Sequence, residues 1–469
     1  MAAEFIENRT YDEIQPGQTA ELERTLTRDD IALYGKVSGD LNPTHVDEEY
    51  ALRSGAKGVV GHSLWATGLI SNLLANVLPG PGTIYRGQDA RFHRQIHLGD
   101  TLTARIKVRE KRDDGVVVLE CGVHNQRQEA VMDGLAEVIA PRERIRVQRP
   151  DLPEVSVHHH DSFKALFEAA HRLDPVPTAV VHPCDLVSLK GAMDAAEDGL
   201  IRPILVGPEH RIRSVAEEHG ISLTSAEIID AEHSHAAAER AVALVRECAA
   251  EIIMKGSLHS DEVLGAAVHK TRGIRTERRI SHVFIMDVPT YPRLLMISDA
   301  AVNIAPDLNA KRDICQSAIE LARTLGVDCP KVAVLSAVET ISPKIQSTLD
   351  AAALCKMAHR GQIQGGLIDG PLAMDNAINL EAARIKSIES MVAGQADVLI
   401  APDLEAGNIL AKQLIFLADA DAAGIVLGAK VPVILTSRAD NVRARHASAA
   451  IAVLHAHALR QGRATGLCG

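Results

Sequence analysis

The chain has 469 residues, more than one hydrophobic core normally organises, so two or three domains are expected. A hydrophobic fraction of 46% with only 3% aromatic residues points to cores of Ala, Val, Ile and Leu, the usual material of parallel sheets flanked by helices. The net charge of -11 offers no broad basic surface for nucleic acid or an anionic membrane, and the seven cysteines form no C-x-x-C pair or other metal-ligand spacing. With no basic-then-apolar pattern of a secretory signal at the N-terminus, the expected compartment is a reducing cytoplasm, without disulfides.

In chain order, the first segment that carries chemistry is Ser38-Gly39-Asp40-Leu41-Asn42-Pro43-Thr44-His45-Val46-Asp47. Pro43 keeps Asn42 out of the helical region, so the spacing predicts an irregular turn that aims Asp40 and His45 at one point. The competing reading is an Asx turn capping a helix, with Asp47 and Glu48 in its first turn. Next comes an apolar run, Leu64 to Leu78, interrupted by Ser71, Asn72 and Asn76. It is shorter than the roughly 20 residues that span a bilayer and reads as a buried helix ending at Pro79-Gly80. Strands are predicted over Thr101 to Val108, Val116 to Val123 and Ala130 to Ile139, with turns at Gly99-Asp100 and Asp113-Asp114-Gly115. One apolar helix followed by antiparallel strands suggests a sheet curled around that helix.

Together with Gly61-His62-Ser63, Phe92 and Gly99-Asp100-Thr101, this motif resembles the MaoC-type dehydratases, the (R)-specific enoyl-CoA hydratases, over about residues 8 to 145. The resemblance implies an α+β hot-dog fold, Asp40 and His45 as the catalytic pair, and Asn42 as a positioning residue. Hydrating a double bond conjugated to a thioester needs a base for water, an acid for the α-carbon and donors for the enolate oxygen. The family usually has His-Gly where this chain has His62-Ser63. Ser63 keeps the N–H expected to serve as oxyanion donor but adds a Cβ that can obstruct the thioester or shift the loop.

A linker is expected over residues 146–164, between a first domain at 1–145 and a second at 165–469. His158-His159-His160 lies in it, but adjacent side chains on an unpatterned chain point in different directions, so a solvated linker is preferred to a metal site.

Beyond residue 178, short apolar runs alternate with helical stretches. Strands are predicted at Ala179 to His182, Pro203 to Val206, Ile252 to Lys255, Val283 to Asp287, Leu294 to Ser298, Val332 to Ser336, Gly366 to Ile368, Val398 to Ala401 and Val433 to Leu435. Helices are predicted at Asp185 to Glu197, His235 to Glu251, Lys311 to Leu325, Pro343 to Ala358, Asn376 to Ser387 and Ala406 to Ala418. Such interleaving implies parallel crossover units in a layered α/β domain, split into two lobes.

In such sheets ligands collect beyond the carboxyl ends of the strands, and there this sequence turns polar. The candidates are Lys255-Gly256-Ser257 with His259, Asp299 with Asn303, Ser336, Asp369-Gly370-Pro371, Asp403 with Gly407-Asn408, and Ser437-Arg438. Each alone reads as readily as a helix cap. Neither G-x-G-x-x-G nor G-x-x-x-x-G-K-[ST] occurs in the right setting, which weighs against kinases and nicotinamide-dependent dehydrogenases.

The blocks Met254 to His259, Arg278 to Val283, Met286 to Pro289, Ser298 to Ile304, Asp369 to Leu372 with Asp375, Val392 to Leu399, Pro402 to Asn408 and Ser437-Arg438 resemble the phosphate acetyl/butyryltransferase family. The resemblance implies an architecture like that of isocitrate and isopropylmalate dehydrogenases, and exchange of an acyl group between CoA and inorganic phosphate. CoA and phosphate are then substrates, and no tightly bound cofactor or metal is implied. Ser437 and Arg438 become the central pair, with Arg438 as a bidentate phosphate fork. Lys255, His259, Asp299, Asn303, Asp403 and Asn408 line the substrate site, and Arg278 and Arg279 suit the phosphates of CoA. The family's thiol-activating aspartate lies a few residues beyond Ser-Arg; here that stretch reads Ala439-Asp440-Asn441-Val442-Arg443-Ala444, so Asp440 is only the nearest candidate base. Acetyl-CoA is the favoured substrate, with acyl preference left open among acetyl, propionyl and butyryl.

The leading expectation is a cytoplasmic bifunctional CoA-thioester enzyme that assembles as a homo-oligomer and binds neither nucleic acid nor membrane. One rival keeps the transferase but makes the MaoC-like domain a noncatalytic module for CoA binding or self-association. A third reading is a metal-dependent hydroxyacid dehydrogenase.

Overall fold

The computed structural model describes residues 5–151, 155, 157, 162–435 and 442–462. It divides into two compact units, Met1–Val157 and His158–Gly469.

The first unit begins with β1 (Phe5–Glu7), a short 3-10 turn, β2 (Thr19–Thr25), α1 (Arg28–Ser38), α2 (Pro43–Val46), α3 (Glu48–Arg53), β3 (Val60–Gly61) and α4 (Ser63–Asn76). It continues through β4 (Ile84–Phe92), β5 (Ile96–His97), β6 (Thr101–Lys111), β7 (Val116–Asn125), β8 (Ala130–Ile139) and β9 (Arg146–Gln148). Five of these strands form an antiparallel sheet in the order β2-β6-β7-β8-β4. The predicted apolar run is α4, which packs on β6 and β2. Alternation along β6 buries Leu102, Ala104, Ile106 and Val108 in the same cluster as Leu69, Ile70, Leu73 and Leu74 of α4. This is the hot-dog arrangement that the motif implied.

The second unit opens with α5 (Ser162–Ala170), β10 (Val176–Val181), α6 (Leu186–Glu197), β11 (Ile201–Gly207), α7 (Glu209–His219), β12 (Glu227–Asp230) and α8 (Ser234–Arg246). Then come β13 (Ile252–Lys255), α9 (Ser260–Ala267), β14 (Ser281–Asp287), β15 (Leu295–Ser298), α10 (Leu308–Thr324), β16 (Lys331–Leu335) and α11 (Gln346–His359). The remainder is β17 (Leu367–Leu372), α12 (Met374–Ile378), α13 (Leu380–Ile385), β18 (Val398–Ile400), α14 (Leu404–Leu417), β19 (Asp421–Leu427), β20 (Val433–Ile434) and α15 (Val442–Arg460).

The expected α/β unit is present, with most of its strand pairs parallel. A single mixed sheet of eleven strands runs β12-β11-β10-β13-β20-β19-β14-β15-β18-β16-β17. Its outer groups are parallel, but β19 pairs antiparallel with both β20 and β14, and β14 antiparallel with β15. The reason lies partly in loop length: the stretch from Val288 to Leu294 joining β14 to β15 is too short for a crossover, which takes a dozen or more residues. As a result the carboxyl ends of β10, β13 and β20 lie at one end of the ladder, and those of β15, β16 and β18 at the other. The polar strand ends therefore fall into two groups.

Among the described residues, no helix is long and apolar enough to cross a membrane. The one tryptophan of the chain, Trp65, is buried in α4, so its fluorescence reports on the first unit. In that helix Leu73 is fully buried and Leu64 is 57% exposed. Leu73→Ala should destabilise the first unit by about 2–5 kcal/mol and Leu64→Ala by under about 0.5 kcal/mol, measured by denaturant unfolding of the Trp65 signal. Equal effects would contradict the described packing of α4.

Candidate functional site

In the first unit, α1 ends on Gly39 in the left-handed region, and the chain turns back through Asp40 to Asn42. Asn42 Oδ1 accepts from Thr44 N–H at 3.1 Å and from Thr44 Oγ1 at 3.0 Å, capping α2, whose first residue is Pro43. Asp47 likewise caps α3, accepting from Tyr50 N–H at 3.0 Å. The Asx-turn reading and the catalytic reading are therefore compatible, because the caps fix the loop while Asp40 and His45 remain directed at each other. Asn42 contributes here as a cap.

His45 Nδ1 lies 2.6 Å from the Val60 carbonyl oxygen, an acceptor only, so Nδ1 carries the proton and Nε2 keeps its lone pair. That Nε2 is 3.8 Å from Asp40 Oδ2. Behind the pair His62, 2% exposed, donates from Nε2 to the Asp40 carbonyl at 3.0 Å and stacks on His45 at 3.9 Å between ring centroids. The ring of Tyr34 lies 4.8 Å from that of His62. Sequence alone left His62 undecided between packing and function, and the structure makes it the wedge that holds both chemical groups. Asp40, His45 and His62 offer ligand atoms within 4.8 Å of one another. Two of the four ring nitrogens of His45 and His62 are engaged by carbonyl oxygens.

Ser63 is the first residue of α4 and is exposed, so its Cβ sits in the open. Its N–H belongs to the first turn, where no intrahelical acceptor exists, at the positive end of the helix dipole.

In the second unit, the group at the carboxyl ends of β10, β13 and β20 contains Lys255, 8% exposed, which closes β13 opposite Val181. His259 precedes α9 and gives its N–H to Glu262 Oε1 at 3.1 Å. The Glu262 carboxylate also accepts from Ser234 and pairs with His235 at 3.0 Å. Ser437, Arg438 and Asp440 follow β20 in sequence and lie outside the described residues, as do His158, His159 and His160.

The group at the opposite end of the ladder is occupied by bonds within the fold. Asp299 accepts backbone N–H bonds from Ala301, Val302 and Asn303 at 2.9, 3.1 and 2.9 Å. Asn303 donates to the Ile280 carbonyl at 2.8 Å and accepts from Arg279 Nε at 2.8 Å. Next to them, complete burial depresses His282 to about 4. Asp403 caps α14 through Ala406 N–H at 2.9 Å, and Asn408 donates to the Ala300 carbonyl at 3.0 Å. Arg278 is paired with Glu320 at 2.5 Å, and that bond holds its guanidinium pKa above the usual value. These residues tie helices to strand ends.

Sequence reasoning missed His182. It was absorbed into the predicted strand Ala179 to His182, whereas β10 stops at Val181 and His182 turns away with φ of 52°. Its signal was a titratable residue followed by Pro183 at a strand end.

A model described as "Phosphate acetyl/butaryl transferase" matches residues 236–453, and a "MaoC like domain" model matches residues 10–125. A phosphate acetyltransferase of Rhizobium meliloti is 60% identical over 294 residues, 63% of this chain and 93% of that protein. A phosphate butyryltransferase of Clostridium acetobutylicum is 38% identical over 293 residues, 62% of this chain and 97% of that protein. A solved branched-chain phosphotransacylase from Enterococcus faecalis superposes with a TM-score of 0.53 at 27% identity, covering 60% of this chain and 99% of that one. With its second unit aligned over nearly the whole length of such relatives, the chain belongs to the phosphate acetyl/butyryl transferase family and carries a MaoC-like domain ahead of the transferase.

Proposed function

We propose that the protein exchanges an acyl group between CoA and inorganic phosphate in its second unit and hydrates enoyl-CoA thioesters with (R) specificity in its first. The observation that carries the transferase is the 60% identity with a phosphate acetyltransferase over 93% of that protein, against 38% with a butyryltransferase; acetyl is accordingly the favoured acyl group. In the synthetic direction a thiolate attacks the carbonyl carbon of an acyl phosphate, and the site must hold a phosphate and stabilise a tetrahedral oxyanion. These roles fall to Arg438, as the planar fork on the phosphate, and to Ser437, as a hydrogen-bonding partner of the acyl group. Lys255, at the matching end of β13, adds positive charge.

For the hydratase, His45 Nε2 and Asp40 take and return protons on either side of the added water, and Ser63 N–H faces the enolate oxygen. His45 is oriented for this by its Nδ1 bond to the Val60 carbonyl.

On the same reading, the two parallel strand groups on either side of β19 and β14 are two lobes like those of isocitrate and isopropylmalate dehydrogenases. The active form is a homo-oligomer of the cytoplasm, and it uses CoA thioesters and phosphate with no further bound group.

Phosphate-dependent release of CoA from acetyl-CoA tests the transferase. Arg438→Ala should lower its kcat/KM by about 100-fold or more, and an unchanged value would remove Arg438 from the site. Crotonyl-CoA hydration on the same sample tests the first unit. Asp40→Asn and His45→Gln should each cut it by about 100- to 10,000-fold and leave phosphate-dependent CoA release intact. No hydration by the unmodified protein would make the MaoC-like unit a noncatalytic module.

A further inference from the structure

The transfer reaction needs a base, because a thiol attacks carbonyl carbon as its thiolate and an ordinary thiol is mostly protonated at neutral pH. Beyond Ser437-Arg438 the chain offers one acid, Asp440, and Ala444 stands at the far side of that stretch. A histidine stands at the carboxyl end of the parallel group that includes β20. β10 lies next to β13 and β13 next to β20, all parallel, so His182, the residue after β10, stands about 10 Å or two strand spacings from the end of β20.

His182 is held there with unusual firmness. Its carbonyl accepts from Cys184 N–H, Ser257 N–H and Ser257 Oγ, each at 2.9 Å. Its N–H donates to the Val206 carbonyl at 2.7 Å. Gly256 permits this packing: a Cβ there would lie 2.3 Å from the Val181 carbonyl oxygen and 2.7 Å from that of His182. A left-handed backbone in a residue other than glycine is the kind of strain that persists only where the surroundings over-determine it, and such positions cluster at functional sites.

The hydrogen-bond balance assigns the tautomer. Since the Ser257 hydroxyl proton goes to the His182 carbonyl, its oxygen is left to accept, from Cys184 N–H at 3.2 Å and from His182 Nδ1 at 3.3 Å. Nδ1 therefore carries the ring proton, and Nε2 presents a lone pair. The charged groups facing the ring are Arg211 of α7 and Glu262 of α9, with Lys255 on the adjoining strand. Burial, aided by Arg211 and opposed by Glu262, lowers the His182 pKa below 6.5, which keeps the ring neutral at physiological pH.

Resting on the transferase reading above, we propose that His182 Nε2 is the proton acceptor for the CoA thiol, with Ser257 fixing its tautomer. The S–H bond breaks as its proton moves to Nε2, and the sulfur lone pair forms the bond to the acyl carbon. The carbon–oxygen bond to phosphate then breaks, and the departing phosphate takes the proton from the imidazolium, leaving hydrogen phosphate, the thioester and a neutral ring.

The test follows acetyl-CoA formation from acetyl phosphate and CoA between about pH 5.5 and 9, for the unmodified protein, His182→Asn and Ser257→Ala. Asparagine tolerates the left-handed backbone. The unmodified enzyme should lose activity on an acid limb below pH 6.5, since a lowered pKa means the active neutral form is complete above that value and is lost as pH falls through it. His182→Asn should lower kcat by about 100-fold or more with the KM for CoA within a few-fold, and its rate should climb toward the thiol's own pKa near about 8.5 with no acid limb. Ser257→Ala should lose about 10-fold and keep the limb, a tautomer penalty rather than loss of the base. A folded His182→Asn enzyme with kcat within a few-fold and an unaltered pH profile would overturn the assignment. Should that variant not fold, Ser257→Ala decides: a kcat within about twofold of the unmodified enzyme rejects the assignment, and a loss of about 10-fold with the KM for CoA unchanged supports it. Absence of any phosphate-dependent activity in the unmodified protein would instead reject the transferase reading itself.

Discussion

Strand direction is the constraint on which the large unit depends. Once β19 and β14 enter the sheet antiparallel to their neighbours, the parallel groups on either side must point opposite ways. Ligand sites in α/β sheets form where carboxyl ends and helix N-termini meet, because unpaired N–H groups and helix dipoles collect there. A sheet with two such ends has two places where polar residues gather. In this protein they are used differently. At the β10, β13 and β20 end stand a buried lysine and a strained histidine, while at the other the carboxylate and amide groups of Asp299, Asn303 and Asp403 are already satisfied by backbone and arginine partners.

That distinction explains which parts were legible in the sequence. Helix α4 and strands β6 and β8 were readable because one face of each is buried, which leaves a period in the residues. β4 was missed, since Ile84 to Phe92 has hardly any buried face and thus no alternation. β19 was missed as well, and with it the reversal of the sheet, because Asp421 to Leu427 is a short, mostly buried run whose direction is decided by partners far away in sequence. Asp40 and His45 were singled out by the resemblance to the MaoC-type dehydratases, and a local turn sets their relation. Asp299 and Asn303 make bonds within the fold, and a side chain that caps a loop and one that binds substrate are the same residue type. Only the count of donors around the carboxylate separates them. His182 escaped because a left-handed backbone is a property of position, invisible in the letters Val-Val-His-Pro.

The two units share a way of preparing an imidazole. In each, one ring nitrogen is tied to an oxygen and the other is left as a base, His45 by the Val60 carbonyl and His182 by the Ser257 hydroxyl. A neutral ring with an assigned tautomer avoids the penalty of waiting for the productive form, which otherwise competes with its alternative. The supports differ in depth: His45 rests against the stacked ring of His62, whereas His182 is gripped by its own backbone.

The choice of a main-chain oxygen for His45 bears on how the first unit can drift over generations. Val60 sits in β3, paired with β5 through Val60 and His97, and any residue placed there still supplies the same oxygen. No change of side chain at that position can delete the acceptor, so the protonation pattern of the ring is inherited with the path of the chain. At position 257 only residues that retain a side-chain acceptor could do the equivalent job, which leaves the transferase unit the more brittle of the two under random substitution.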